Sequence, residues 1–315
     1  MRAIILKEQG GPENLSITEL PTPEPGPADV LVEVHAISIN PVDIKTRKGG
    51  ALYATLKKDE YAILGWDVSG VVKAVGAEVK QFKEGDAVFG MVNFPGHGKA
   101  YAEYVVAPAA HLALKPDNCT HAEAAAATLA ALTAWQVLVH QAGIQPGQHL
   151  LMHAAAGGVG HYAVQIAKHL GATVTGTASA ANAGFLQELG VDHVIDYTTV
   201  NFEEQVSDVD MVFDPIGGET TRRSIQVLRP GGTLVSIVGG VKDNLSPLFQ
   251  QKSIKAKNYL VQSSGSDMQQ LAELIQQGIL RSTISHQFSF DEMDKAHQQI
   301  ETGKTRGKVV VNVRG

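Results

Sequence analysis

The sequence predicts an α/β protein in which a doubly wound parallel sheet is joined to a β-rich domain. Three observations carry this. From Gln148 onward, short apolar strands alternate with helical segments, the pattern of βαβ units with right-handed crossovers. A glycine-rich turn, "AAAGGVG", stands between the first of those strands and the first of those helices. Before about residue 118 the chain reads instead as short β-rich pieces such as "VLVEVHAISI", "GVVKAV" and "AEYVVA", cut apart by "PTPEPGPAD", "KEGD" and "FPGHGK".

Taken in order, the β-rich pieces predict an antiparallel, barrel-like domain over residues 1–118. Thr120 and Glu123 have the spacing of a capping box, which starts a helix expected to run to about Gly143. Strand "HLLMHA" follows, then a helix from Gly158, strand "TVTGTA", a helix over 182–189, strands "HVIDY" and "DMVFDP", a helix over 219–228 and strand "TLVSIVG". Beyond residue 255 come a strand, helices over 267–277 and 291–301, and a closing strand "GKVVVNV". This tail is assigned back to the first domain, giving 1–118 with 256–315 as one domain and 119–255 as the other.

Composition sets the broad class. A chain of 315 residues, 44% hydrophobic and 18% charged, is long enough for two cores. The balance of 26 basic against 32 acidic residues, with no Lys/Arg block, argues against a nucleic-acid partner. The single cysteine, Cys119, leaves no intrachain disulfide and no multi-cysteine zinc lobe. The apolar stretch over 122–143 is mostly alanine and is interrupted by Glu123, Gln136, His140 and Gln141, so no membrane span is expected. The apolar run before Lys7 is too short for a signal peptide, and a cytoplasmic protein is expected.

The turn is where chemistry enters. Aligned on its last glycine it reads Ala155-Ala156-Gly157-Gly158-Val159-Gly160, a dinucleotide fingerprint with alanine in place of the first glycine. Gly157 lets backbone approach a pyrophosphate, Gly160 lets helix and strand pack closely, and amides from about Gly158 face the anion. A site for NAD places a carboxylate about 20 residues further on, against the adenosine ribose. Here no Asp or Glu occurs between Gly160 and Glu188, which favours NADP, and an acid introduced at Ala178 should shift preference toward NADH. For a 2′-phosphate this region offers the hydroxyl of Ser179 and the amide of Asn182. Tyr197 either adds a second hydroxyl or is a half-exposed tyrosine at a strand end.

Several motifs in order resemble one family. The chain carries "GPENLSITELPTPEPGPADVLVEVHAISINPVDIKTRKG", "GWDVSGVVKAVG", "EGDAVFG", "YAEYVV", "LTAWQ", "AAAGGVG", "LGVDHVIDY" and "RGKVVV". In these it resembles the zinc-independent medium-chain dehydrogenase/reductases of the quinone oxidoreductase (zeta-crystallin-like) branch. The resemblance implies a GroES-like domain completed by the tail, a Rossmann domain between, NADPH as hydride donor and a homodimer joined at the edges of the Rossmann sheets, near "TLVSIVGG" or its neighbour. It also implies that Asn40 lies near the nicotinamide, Thr133 near the carboxamide or ribose, and Val238 and Gly239 along the nicotinamide. With the turn, the expected cofactor set is Asn40, Thr133, Ala156, Gly157, Gly158, Val159, Gly160, Ser179, Asn182, Tyr197, Val238 and Gly239.

Zinc-dependent relatives carry a cysteine and a His-Glu pair where this chain has Asn40 and Gly65-Trp66-Asp67. Asp67 alone cannot hold a tetrahedral Zn²⁺, which takes three protein ligands and prefers N and S donors. His149 and His153 do not replace them, since four residues along a strand separate them by roughly 13 Å. Alcohol oxidation needs an alkoxide held by a Lewis acid, whereas hydride addition to a quinone or enone places charge on an oxygen already conjugated. The expected reaction is therefore hydride transfer to a conjugated carbonyl without zinc. Its polar groups are Asn40, Lys45 and Tyr53, with Thr46 as a further candidate. Lys45 is alternatively a solvated helix lysine, Asp43 is expected to hold the local turn, and Trp66 to pack. An enoyl-thioester reductase and a non-enzymatic NADPH-binding protein are the alternatives.

Overall fold

The computed structural model describes residues 1–314 and divides them into two compact units, Met1–Leu132 with the segment from Val261 onward, and Thr133–Leu260. The first unit opens with the antiparallel pair β1 (Arg2–Leu6) and β2 (Leu15–Glu19). Its main sheet contains β3 (Asp29–Ile39), β4 (Asp67–Val75), β5 (Ala87–Met91), β6 (Tyr104–Pro108) and β7 (Leu112–Leu114). In the second unit, β8 (His149–Met152), β9 (Thr173–Ala178), β10 (His193–Asp196), β11 (Val209–Asp214), β12 (Leu228–Ser236) and β13 (Lys255–Asn258) form one sheet. The tail then supplies β14 (Ile284–Ser289) and β15 (Lys308–Asn312).

In the first unit the order is β14-β15-β3-β4-β5-β7, with β6 also pairing β3. All its pairs are antiparallel except β14 with β15. The long strand β3 alternates half-buried and buried residues and ends in an unbroken buried run, the period-2 signature of a strand with one wet face. The second sheet is wholly parallel, in the order β10-β9-β8-β11-β12-β13. That is the 3-2-1-4-5-6 arrangement, whose strand order reverses between β8 and β11. One face packs Leu151, Val212, Ile225, Leu228, Leu234 and Phe249 into a continuous apolar cluster.

Three expectations are corrected. The strand after residue 255, expected to belong to the first domain, is β13, which pairs parallel with β12; it alternates no apolar residues, so pattern could not assign it. The helix expected from Thr120 to Gly143 is three pieces, His121–Ala126, Leu129–Trp135 and a π-helical stretch Gln136–Ala142. Thr120 and Glu123 do form the capping box. The break has a cause outside the helix: Asp67 Oδ1 accepts the amide of Leu129 at 3.0 Å, so a carboxylate on β4 caps the second piece. The first piece packs on β3, β4 and β15, which moves the observed boundary from 118 to 132.

The helix after the glycine turn starts at Gly160, two residues later than expected. Thr177 accounts for the delay, because its Oγ1 accepts the amide of Ala154 at 3.2 Å and its carbonyl the amide of Ala155 at 3.0 Å. Ala154 is thereby held at φ 48°, a left-handed conformation unusual for alanine, and the amide of Gly157 closes on its carbonyl at 2.9 Å. A Cβ at Gly160 would lie 2.3 Å from Ala154 O and 2.7 Å from Ala155 Cα, whereas one at Gly157 would meet Ala154 O at 3.2 Å. Gly160→Val should therefore lower folding stability by about 3 kcal/mol or more, and Gly157→Val by clearly less. Urea midpoints of the two variants check this ordering.

Candidate cofactor and active site

In the second unit, the residues expected to bind cofactor gather at the carboxyl ends of the parallel strands. The turn over 153–159 leaves β8, Ser179 follows β9, Tyr197 follows β10, and Val238 and Gly239 follow β12. Neighbouring strands lie about 4.8 Å apart, so these turns form one continuous edge across the point where strand order reverses. Ser179 is half-buried and accepts from Asn182 Nδ2 at 3.3 Å. Tyr197 is 61% exposed, with its amide on Ala178 O.

The far side of this edge is built by three residues outside the expected set. Asp214, buried at the end of β11, accepts the amides of Ile216 and Gly217 at 2.8 and 2.9 Å and the hydroxyl of Thr221 at 2.5 Å. Ser236 Oγ accepts the amide of Gly240 at 2.9 Å. A Cβ on Gly240 would strike Thr221 Oγ1, Ser236 Oγ and Asp214 Oδ2, all within 3.0 Å, so glycine is required for the two turns to nest. At Gly218 (φ 61°) and Gly239 (φ 75°) the same test meets nothing within 4 Å. The turns leave open space at their tips, flanked by the exposed apolar side chains of Ile216 and Val238. A cradle of open glycines, main-chain amides and apolar surface fits a nicotinamide dinucleotide.

In the first unit a buried polar cluster surrounds Asn40. Its Nδ2 donates to Asp67 Oδ2 at 2.7 Å, and its Oδ1 accepts from Lys308 Nζ at 2.5 Å. Lys308 also donates to Ile39 O at 3.2 Å and lies 3.9 Å from Asp67 Oδ2. Asp43 Oδ2 accepts the amide of Asn40 at 2.7 Å, closing the first turn of the helix Pro41–Arg47. Beside it Arg47 bonds Glu301 at 2.7 Å, and Tyr101 OH pairs with His297 Nε2 at 2.9 Å. Burial and the neighbouring Asp67 push the Asp43 carboxyl up to about 7. Burial raises Asp67 too, and it lowers Lys308.

Residues 26–117 match the family "Alcohol dehydrogenase GroES-like domain", and residues 189–311 match "Zinc-binding dehydrogenase". The chain is 34% identical over 326 residues to the mitochondrial NAD(P)H oxidoreductase RTN4IP1 of Mus musculus, covering 91% of this chain and 82% of that one. It is 34% identical over 321 residues to the chloroplastic NADPH-dependent alkenal/one oxidoreductase of Arabidopsis thaliana, covering 99% and 79%. The chain belongs to the medium-chain dehydrogenase/reductases. A quinone oxidoreductase structure from Coxiella burnetii, 38% identical, superposes with a TM-score of 0.94 and covers 100% of this chain and 99% of that one.

For a medium-chain dehydrogenase/reductase, the expected catalytic trio is dispersed. The Asn40 carboxamide is spent at both ends within the buried cluster. Lys45 is exposed on the helix Pro41–Arg47, and Tyr53 is half-buried with the Lys57 ammonium 5.8 Å from its ring centre. Among the described residues neither hydrogen-bonds Asn40. Thr46 accepts the amide of Leu52, Trp66 is fully buried with its Nε1 on Gly96 O at 2.8 Å, and Asp43 holds the turn. Thr133 is buried in the second unit. His149 and His153 bond separate partners, Thr175 for one and Thr177 with Ser224 for the other. Ala178 is only 3% exposed, so an aspartate there would be buried.

Lys308 was invisible to sequence reasoning because 268 residues separate it from Asn40. Asp214 was legible in principle: an acid ending an apolar strand immediately before Pro-Ile-Gly-Gly is a turn-organising signal.

An acid with a raised folded value stabilises the fold only while protonated. The contribution of Asp43 is complete below its ordinary value of 3.8 and is lost as pH rises through about 7. Wild type should therefore lose stability relative to Asp43→Asn as pH rises from about 3.8 to about 7, by on the order of 4 kcal/mol in all. Urea midpoints across that range check it, and parallel profiles would contradict it.

Proposed function

We propose that the chain is an NADPH-dependent oxidoreductase that transfers hydride to a quinone or another conjugated carbonyl, without zinc. The observation that carries this reading is the Lys308 ammonium beside Asn40 and Asp67, in a chain whose parallel sheet keeps an open, glycine-lined edge. Bound NADPH supplies the hydride. The turn over 155–160 holds its pyrophosphate through main-chain amides, those of Gly158 and Val159 foremost because the amide of Gly157 is taken by Ala154. Ser179, Asn182 and Tyr197 receive the ribose end, and Val238, Gly239 and Thr133 the nicotinamide end. Ile216 and Val238 supply apolar surface that excludes water from the ring.

The metal argument is electrostatic. Asn40 and Asp67 occupy the positions at which zinc-dependent relatives carry ligands, and here an ammonium already lies within 4 Å of both. A divalent cation would have to displace a positive charge enclosed in protein, which is strongly unfavourable. A conjugated carbonyl does not require the metal, since its oxygen takes up negative charge by delocalisation, and Lys45 and Tyr53 are the groups we assign to steady and protonate it. Asn40 acts by fixing the corner between β3 and the following helix. We also propose a homodimer, for which β13 is the exposed edge strand beside β12.

NADPH oxidation measured across quinones, alkenals and enoyl thioesters tests the activity. Turnover with quinones or alkenals is expected; turnover confined to thioesters selects an enoyl-thioester reductase, and none at all leaves a binding protein. Gly157→Val should weaken NADPH binding by about a hundredfold, the loss of two charge-assisted hydrogen bonds, while folding normally. Native mass spectrometry reads the other two proposals together, with a dimer free of stoichiometric zinc as the expected mass.

A further inference from the structure

We propose that Asp196, at the end of β10, is the residue that limits discrimination between NADPH and NADH. It supplies from the neighbouring strand the carboxylate that the end of β9 lacks. The inference rests on the reading above that the ribose end of the cofactor meets Ser179.

Register places the acid there. β10 runs parallel to β9 with Asp196 opposite Ala178, and the pairing continues one step further, where the amide of Tyr197 donates to Ala178 O at 3.2 Å. At a strand spacing of about 4.8 Å, the backbone of Asp196 adjoins that of Ala178 and Ser179. The side chain leans the same way. Asp196 Oδ1 accepts the amide and hydroxyl of Thr198 at 3.0 and 2.7 Å, and the amide of Ala180 lies near enough to favour the charged carboxylate. Ala180 opens the 3-10 turn Ala180–Asn182, for which Ser179 is the cap. An anionic group therefore already stands beside the main-chain amides at which a 2′-phosphate at Ser179 would be received.

The Thr198 hydrogen bonds favour the charged carboxylate, holding its pKa below the ordinary carboxylate range, so it is ionised at neutral pH. Of the basic side chains of this unit, four are engaged elsewhere: Lys168 with Asp192, Arg223 with Glu203, Arg229 with Asp210, and Lys252 with the carbonyls that end the helix Glu219–Val227. A phosphate beside Ser179 would face Asp196 across a few ångströms. The 2′-hydroxyl of NADH would instead find an acceptor. The two cofactors are thus brought closer in affinity than the absence of an acid on β9 suggests.

The experiment is titration of NADPH and NADH, by quenching of protein fluorescence, against wild type, Asp196→Asn and Asp196→Ser. Removing one charge from beside a phosphate dianion should raise the NADPH-to-NADH affinity ratio roughly tenfold, in both variants and more at low than at high salt. Two substitutions of different shape guard against a local folding defect in either one, and the side chain is at the surface. Wild type that binds NADPH, with both variants keeping its ratio, overturns the role of Asp196 and leaves the proposed function standing. Wild type that binds neither cofactor overturns both.

Discussion

The first unit is organised around one enclosed ammonium. Lys308 Nζ reaches Asn40 Oδ1, Ile39 O and the neighbourhood of Asp67, and each of those residues terminates a different element. Asn40 starts the helix Pro41–Arg47, Ile39 ends β3, and Asp67 begins β4 while capping the helix Leu129–Trp135. Two carboxylates and one ammonium enclosed together leave one negative charge in excess. The cluster meets that excess by favouring the protonated, uncharged form of Asp43, because burying a second free carboxylate there would cost several kcal/mol. Beside it Ala36, Ala125, Ala126 and Val310 pack as one small apolar cluster, which seats the alanine-rich helix on β3 and β15.

The second unit solves a different problem with different means. Parallel strands end together at one edge, and each end must satisfy its last polar groups without closing the edge off. Thr177 does so for β8, reaching across from β9; Asp214 gathers the turn after β11; Ser236 gathers the turn after β12. All three are buried. They hold glycines whose outer faces remain open. The edge is consequently rigid behind and empty in front, the arrangement in which a bound dinucleotide loses least freedom on docking.

Much of this was legible in the chain itself. The βαβ alternation, the capping box at Thr120 and the close packing at Gly160 follow from local spacing, and local spacing is what short-range sterics and hydrogen bonding dictate. What was not legible depended on contacts between distant segments. A helix that reads as continuous over 120–143 is broken by a carboxylate from β4. A lysine in "RGKVVV" reads as an ordinary strand-end charge until the strand is laid beside β3. β13 carries lysines and an asparagine instead of apolar residues, so its membership of the parallel sheet is set by β12 and not by its own pattern. Asp196 illustrates the same point, since spacing along the chain follows one strand, whereas the sheet places the end of the next strand alongside Ala178.

The discontinuity of the first unit also bears on the order in which the chain can become structured. All six strands of the parallel sheet lie within Thr133–Leu260, so that unit has every partner it needs before the tail is synthesised. The first unit does not, because β15 arrives 268 residues after Asn40. Contacts of such long sequence separation form late and slowly. Until β15 docks, Asp43 and Asp67 have no enclosed counter-charge and must stay hydrated, which keeps the ends of β3 and β4 loose. β15 thus acts as a clasp, and a nascent chain that stalled before Lys308 would carry a finished parallel sheet and an unclosed first sheet.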